Sequence, residues 1–120
     1  MASPNEVIAL VDRVKVNACE PEEKFRWLSQ LDGMIRRVVM QEEGAVAYRW
    51  PEDADAELLV PYPFDDIYPL YLQAQIDFHN ADYGDYNNTA ALFRERLGEY
   101  KRAYIRENRP ADPGDIQLWR

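Results

Sequence analysis

The sequence predicts an all-α fold: a four-helix bundle-like domain with a long loop between helices 2 and 3 and an extended C-terminal tail. Three observations favour this class. Apolar residues recur at three- and four-residue spacing in four separate stretches, which is the period of an amphipathic helix. Helix-starting signals precede the first two stretches. Pro110, Pro113 and Gly114 follow the fourth, so we expect a helical domain over residues 1–109 and a tail over residues 110–120.

The first two helices are predicted from capping signals and apolar stripes. Helix 1 is expected over residues 4–14. Ser3 is a good N-cap, and Glu6 three residues later completes a capping box. Helix 2 is expected over residues 21–43, beginning with a proline and ending where Gly44 can cap it. The predicted buried stripe of helix 2 comprises Phe25, Leu28, Leu31, Ile35, Val38 and Val39.

A long connection is predicted over residues 45–64. Residues 46–50 alternate in character, as in an extended segment, and residues 57–60 could form a second one. The two could pair as a small β-hairpin across residues 51–56. A connection of this length is often functional rather than a simple joint.

Helix 3 is predicted over residues 65–81 and helix 4 over residues 86–108. Helix 3 is apolar on nearly every side, so it is expected to be the central helix. Helix 4 carries the stripe of a bundle helix, which is made of Tyr86, Ala90, Phe93, Leu97, Tyr100 and Tyr104. Its other face interleaves basic and acidic residues, which favours a solvent or subunit face over a nucleic-acid patch.

Composition restricts the classes of function. The chain carries 14 basic and 22 acidic residues, a net charge of −8, and an acidic protein binds nucleic acid poorly because it repels phosphates. The acidity could simply keep the protein soluble, or it could line a passage through which DNA slides without sticking. No apolar run approaches the roughly 20 residues that span a bilayer, so no membrane association is expected.

No catalytic constellation, metal site or cofactor is predicted. His79 is the only histidine, whereas a transition-metal site needs three or four ligands. Cys19 is the only cysteine, and it lacks a neighbouring base and orienting group. Asp53, Asp55 and Glu57 alternate along an acidic loop without the glycine and glutamate of a calcium-binding EF-hand, so a solvated loop is the preferred interpretation. We therefore do not expect an enzyme.

The tail has two open interpretations. Ile116, Leu118 and Trp119 are apolar residues on a segment too short to fold alone. Trp119 could fold back onto the bundle. Alternatively, the three side chains could anchor the tail in a groove of another subunit, since aromatic anchors dominate the energy of many interfaces.

Three segments of the chain resemble a known family. They read NEVIALVDRVKVNA from residue 5, EEKFRWLSQLDGMI from residue 22 and ELLVPYPFDDIYPLYLQAQIDFHNADYGDYNN from residue 57. With the helix that follows, they look like the small head–tail connector proteins (neck adaptor or head-completion proteins) of long-tailed phages and prophages. The resemblance covers most of residues 5–108 and is carried by structural motifs. The tail after Pro110 departs from the family pattern.

The resemblance implies a structural virion protein of the phage neck, assembled in the cytoplasm of the bacterial host. Such subunits form a ring of about twelve copies below the portal protein. They extend the DNA channel without binding DNA specifically, and they offer a platform to the next neck or tail-completion protein. The resemblance also implies inter-subunit faces on helices 2 and 4 and a protruding loop that contains Tyr48, Trp50 and Tyr62.

Two further assignments depend on this resemblance. Ile116, Leu118 and Trp119 would contact the portal or a neighbouring subunit, and the acidic residues of the loop would line the channel. Those residues are Asp53, Asp55 and Glu57. The alternative is a small helical interaction or regulatory protein that a phage encodes but does not package, which would share the composition and lack the ring.

Overall fold

The computed structural model describes residues 2–44 and 48–108, and within them the fold is all-α. Four helices follow one another along the chain: α1 (Pro4–Val14), α2 (Pro21–Met34), α3 (Ile67–His79) and α4 (Tyr83–Asn108). A short π-helical turn, Ile35–Val39, extends α2. The helices pack in a bundle-like arrangement around one core, and the described residues contain no strand. The predicted fold class is therefore confirmed.

Local capping fixes the bounds of α1, which match the prediction. The Ser3 hydroxyl accepts a hydrogen bond from the backbone N–H of Glu6 at 3.3 Å. Pro4 occupies the first turn, where its missing N–H costs nothing. Val7 and Val11 are buried on the inner side of the helix. The start of this helix and its buried side therefore follow from local sequence patterns.

A π turn follows α2, where the sequence predicts one continuous α-helix to about residue 43. The Met40 N–H donates to the Ile35 carbonyl five residues earlier, at 3.0 Å, which is the π-type hydrogen bond. Ile35 and Val39 are buried, whereas Val38 is 50% exposed. With the π turn, Ile35 and Val39 of the predicted stripe thus lie in the core, and Val38 lies at the surface. Gln41 then adopts a φ of 55°, and the helical run has ended.

The central helix is α3, as its apolar sequence predicts. It packs against α1, α2 and α4, most extensively against α4. It begins at Ile67 rather than at residue 65 and ends at His79 rather than at residue 81. Ala81 adopts a φ of 59°, a left-handed conformation that reverses the chain. The next helix, α4, consequently begins at Tyr83, three residues earlier than predicted.

The predicted stripe of α4 lies on its covered side. Two of its six residues, Ala90 and Tyr100, are buried, and the other four are half-buried. Arg96 fastens α4 to the end of the preceding connection. Its Nε donates to Asp66 Oδ2 at 2.8 Å, and its guanidinium lies over the ring of Phe64, 5.6 Å from the ring centroid. The position of the connection is therefore coupled to that of α4.

The described part of the connection between α2 and α3 lacks the small β-hairpin that the alternating sequence allowed. In its described part, residues 48–64, it runs through turns without a strand. The Asn5 N–H donates to the Ala54 carbonyl at 2.9 Å, and the Leu58 N–H donates to the Ala2 carbonyl at 3.0 Å. Backbone groups of this connection thus pair with the beginning of the chain, and with each other only in short turns such as the bond from the Asp53 N–H to the Arg49 carbonyl.

The core is formed by the inner faces of the helices and by the connection. Leu58 and Val60 of the connection are 2% and 1% exposed, so they are as deeply buried as helical residues. The largest fully buried helical side chains are Leu28, Leu31, Ile35, Ile67, Tyr68, Leu72 and Ile76. No helix within the described ranges is both long and apolar enough to cross a membrane.

Replacing Leu72 with alanine tests the central position of α3. Leu72 has no exposed surface, so Leu72→Ala should lower the free energy of unfolding by about 2–5 kcal/mol through lost burial and a residual cavity. Leu92 of α4 is 52% exposed, and the matched control Leu92→Ala should change this free energy by about 0.5 kcal/mol or less. Urea unfolding followed by far-UV circular dichroism measures both. Equal effects of the two substitutions would contradict the packing of α3.

Candidate functional site

A buried carboxylate lies at the centre of the domain. Asp32 of α2 has no exposed surface. Its Oδ2 accepts hydrogen bonds from the Tyr48 hydroxyl at 2.7 Å and from the Leu59 N–H at 3.0 Å. Its Oδ1 accepts one from the Tyr68 hydroxyl at 2.5 Å, and that hydroxyl accepts a bond from the Val60 N–H at 2.8 Å. One network therefore ties together α2, α3 and the connection.

Asp32 is not among the predicted site residues, although the sequence contains a signal for it. Asp32 follows Leu28 by four residues and precedes Ile35 by three, which places it on the apolar stripe of α2. A charged residue in that position must be paired once it is buried. Its hydroxyl partners Tyr48 and Tyr68 lie 16 and 36 residues away in sequence, so no local pattern identifies them.

Burial controls the ionisation of this network. It raises the pKa of Asp32 above the ordinary value of 3.8, and the bonds from Tyr68, Tyr48 and Leu59 offset part of the rise. Burial and the neighbouring carboxylate also raise the pKa of both tyrosines, so their hydroxyls stay protonated and act as donors. With its donors supplied by the protein, the carboxylate holds the connection against the helices.

A second buried carboxylate, Asp77 of α3, connects this helix to α4 and to the residue that follows α1. It is 2% exposed and forms an ion pair with Lys15, directly after α1. The Thr89 hydroxyl of α4 donates to its Oδ2 at 3.4 Å. Asp77, Asp82 and Asp85 have carboxylate oxygens within 4.8 Å of one another, but Lys15 already neutralises the buried member. The geometry therefore favours a clasp between α1, α3 and α4.

In the part of the chain that the structure describes, the side chains of His79 and Cys19 form no hydrogen bond with Asp32 or Asp77. His79 is exposed at the end of α3, and its ring centroid lies 6.2 Å from that of Trp27. Cys19 is half-buried, and burial together with the charge of Glu23 raises the pKa of its thiol. A raised pKa leaves less of the reactive thiolate at neutral pH.

A groove runs along the C-terminal end of α4 on both sides of Tyr104, and it is named here the Tyr104 groove. One half, of about 340 Å³, lies between α4 and the π turn. The other half, of about 300 Å³, lies between α4 and the connection. Met40, Tyr104 and Asn108 line both halves. The other apolar lining residues include Val38, Leu59, Tyr62, Phe64, Tyr100 and Ile105.

This groove carries apolar side chains that the domain does not cover. Tyr62 is 80% exposed, Val38 50% and Ile105 47%. Large exposed apolar side chains that gather in one concave surface are typical of an interaction site. The rim is charged, with Lys101 at one half and Glu107 at the other. Among the described residues, this is the surface whose composition best fits binding of another polypeptide segment.

Of the three residues that the resemblance assigns to a protruding loop, two are half-buried and one is exposed. Tyr48 and Trp50 pack against Phe25, with ring centroids 6.4 and 5.3 Å apart, and both are half-buried. Tyr62 alone of the three projects into solvent, and it lines the Tyr104 groove. The hydrogen bond from the Tyr48 hydroxyl to the buried Asp32 holds the beginning of the described loop on the helical body.

Two of the three acidic residues proposed for a channel surface accept hydrogen bonds. Asp53 Oδ2 accepts a hydrogen bond from the Arg49 N–H at 2.7 Å, and Asp55 Oδ1 accepts one from the Asn5 side chain at 3.0 Å. Asp55 and Glu57 are exposed, whereas Asp53 is half-buried. Asp53 thus shapes a turn of the connection, and Asp55 holds the connection against α1.

The tail residues Ile116, Leu118 and Trp119 lie outside the described residues. Comparison of the chain with protein-family models, with curated proteins and with solved structures gave no match. The interpretation of the surface therefore depends on its own geometry and on the resemblance of the three sequence segments.

Removing the Tyr68 hydroxyl tests the buried network. Tyr68→Phe takes one donor from Asp32 and leaves the Val60 N–H without its partner, so the free energy of unfolding should fall by about 1–3 kcal/mol. Tyr83 is 57% exposed, and Tyr83→Phe should leave stability nearly unchanged. Urea denaturation compares the two. A loss in Tyr68→Phe no larger than in the control would show that the network does not hold the connection.

The pH dependence of stability should carry the signature of Asp32. Burial raises its pKa, so the folded state binds this proton more tightly than the unfolded state. The resulting stabilisation is complete below the ordinary pKa of 3.8 and is lost as the pH rises through the folded-state value.

Asparagine does not titrate, which makes Asp32→Asn the reference for this measurement. The free energy of unfolding of the wild type minus that of Asp32→Asn should fall as the pH is raised from 3.8 towards neutrality. Subtraction at each pH removes the contribution of the other acids. A difference that grows with pH over this range would mean that burial does not dominate at Asp32.

Proposed function

We propose that this chain is a non-enzymatic structural subunit of the neck of a long-tailed phage. It assembles as a ring of about twelve copies below the portal protein, joins head to tail and extends the DNA channel. The observation that carries an assembly role is the Tyr104 groove, where exposed apolar side chains meet in one concave surface. The resemblance of the three sequence segments supplies the phage neck as the place of assembly.

The use of the buried polar groups supports an assembly role. Asp32 is bound by donors from the connection and α3, and Asp77 is paired with Lys15. Lys24, which is 3% exposed, donates to Asp12 at 2.7 Å and to Asn17 at 3.1 Å. Each of these groups links separate segments of the chain. The buried polar groups thus stabilise one arrangement of the helices and the connection, and a subunit of an assembly requires such a fixed shape.

The surface of α4 supports contacts between copies. Its outer side exposes a mixture of both charges, namely Arg94, Glu95, Lys101, Arg102, Arg106 and Glu107. A ring needs two different faces on each subunit that complement each other. Mixed charges on one face set the register between neighbours more than they add affinity. The Tyr104 groove at the end of the same helix adds the apolar contact that such a face lacks.

The acidity of the chain suits the passage of DNA. Its net charge is −8, and Asp55 and Glu57 are exposed on the connection. A ring that turns this acidic surface towards its lumen repels the phosphate backbone and lets the duplex slide. The portal and the next neck or tail-completion protein are the proposed partners at the two ends of the ring.

Quantitative mass spectrometry of purified particles tests this function. Particles are prepared from cells that encode this chain and produce the phage, and the portal and major capsid proteins serve as internal copy-number standards. We expect this chain at a copy number close to that of the portal. If it is abundant in the lysate and missing from intact particles, the connector role is wrong and the unpackaged interaction protein takes its place.

A deletion refines this experiment. Removal of residues 110–120 should leave the domain folded, with a cooperative urea unfolding transition, and should remove the chain from particles, because the proposed portal contact lies in the tail. The full-length chain expressed from the same promoter is the matched control. Retention of the shortened chain in particles would contradict the tail contact while leaving the connector role intact.

A further inference from the structure

The Tyr104 groove begins where the described chain ends. Asn108, the last residue of α4, lines both halves of the groove. From there the groove runs back along α4 as far as Lys101, a distance of about 10 Å at the rise of an α-helix. Any segment that follows Asn108 therefore starts at the mouth of the groove.

The chain that follows has the length and composition to turn back into this groove. The eight residues from Asn108 to Ile116 reach about 26 Å when extended, which is more than twice the length to be covered. Pro110 and the Pro113–Gly114 pair favour turns over continuation of the helix. Geometry therefore permits Ile116 to reach any part of the groove with slack to spare.

The end of the segment complements the groove chemically. Ile116, Leu118 and Trp119 are apolar, and the groove exposes Val38 and Ile105. Asp115 precedes the apolar residues, and Lys101 on the rim supplies the opposite charge. Arg120 follows the apolar residues, and Glu107 lines the other half of the groove. An apolar segment flanked by both charges thus meets an apolar surface that carries both charges.

We propose that the Tyr104 groove binds residues 116–119 of the same chain, so that the tail forms a latch on the end of α4. A short tether holds these residues at an effective concentration in the millimolar range, which a second copy reaches only at very high protein concentration. The same molecule is therefore the favoured source of the bound segment. The latch covers Val38 and Ile105 and does not depend on the connector role.

Fluorine NMR on the full-length chain labelled with 5-fluorotryptophan tests the latch. The chain has three tryptophans, and Trp119→Phe identifies the signal of Trp119. We expect this signal to differ from that of a free peptide of residues 109–120. Val38→Glu and Ile105→Glu, which place charge at exposed positions in the groove, should move it to the free-peptide position.

Leu92→Glu is the matched control, since Leu92 is equally exposed on α4 but lies outside the groove. It should leave the Trp119 signal where the wild type has it. The signals of Trp27 and Trp50 report on folding, because both side chains pack against the core. A Trp119 signal at the free-peptide position in the wild type would overturn the proposal.

Disulfide trapping decides whose tail occupies the groove. In a Cys19→Ala background, the pair Val38→Cys and Leu118→Cys should oxidise within one chain about tenfold faster than the pair Leu92→Cys and Leu118→Cys. The product is a monomer on non-reducing gels at low protein concentration. Equal rates for the two pairs would show an undocked tail. Covalent dimers as the main product would assign the groove to the tail of a second copy and overturn the latch.

Discussion

The buried carboxylate of Asp32 is the constraint on which the rest of the structure depends. A carboxylate removed from water costs on the order of several kcal/mol unless hydrogen bonds replace its hydration. The replacements come from Tyr48, Leu59 and Tyr68, so two parts of the connection and the central helix must reach their positions together. The described part of the connection has no regular secondary structure. It nevertheless stays against α2 and α3, because its departure would remove two hydrogen-bond donors from the Asp32 carboxylate.

The same network builds the surface that we assign to binding. Leu59, whose N–H is bound to Asp32, also lines the Tyr104 groove. Phe64 lies further along the connection, where Arg96 of α4 covers its ring. Polar bonds inside the domain thus fix apolar side chains at its surface. An apolar residue in place of Asp32 could match it in stability, but it would not specify which backbone N–H of the connection lies against α2.

Features of this fold that depend on neighbouring residues could be predicted from the sequence, whereas contacts between distant residues could not. The bounds of α1 were predictable because Ser3 and Glu6 are neighbours in the chain, and the stripe of α4 was predictable because bundle packing follows helical spacing. The partners of Asp32 were not, because they are brought to it only by the fold. The alternation around Tyr48 suggested a strand. In the structure, the Tyr48 side chain points inward because its hydroxyl binds Asp32, a partner that no local pattern reveals. The groove also joins distant segments, from Val38 to Asn108.

The proposed latch and the proposed ring are compatible through mass action. On the latch proposal, a tail held by its own groove at millimolar effective concentration competes with every weaker outside partner, which would keep the free chain unassembled at ordinary concentrations. A partner that offers many equivalent sites changes this balance, because each bound copy places its neighbour's groove and tail within reach. The exposed groove and the apolar tail then exchange one intramolecular contact for several contacts between molecules. Together the two proposals imply assembly only on a template, with a groove whose shape is held by the hydrogen bonds between Asp32 and the connection.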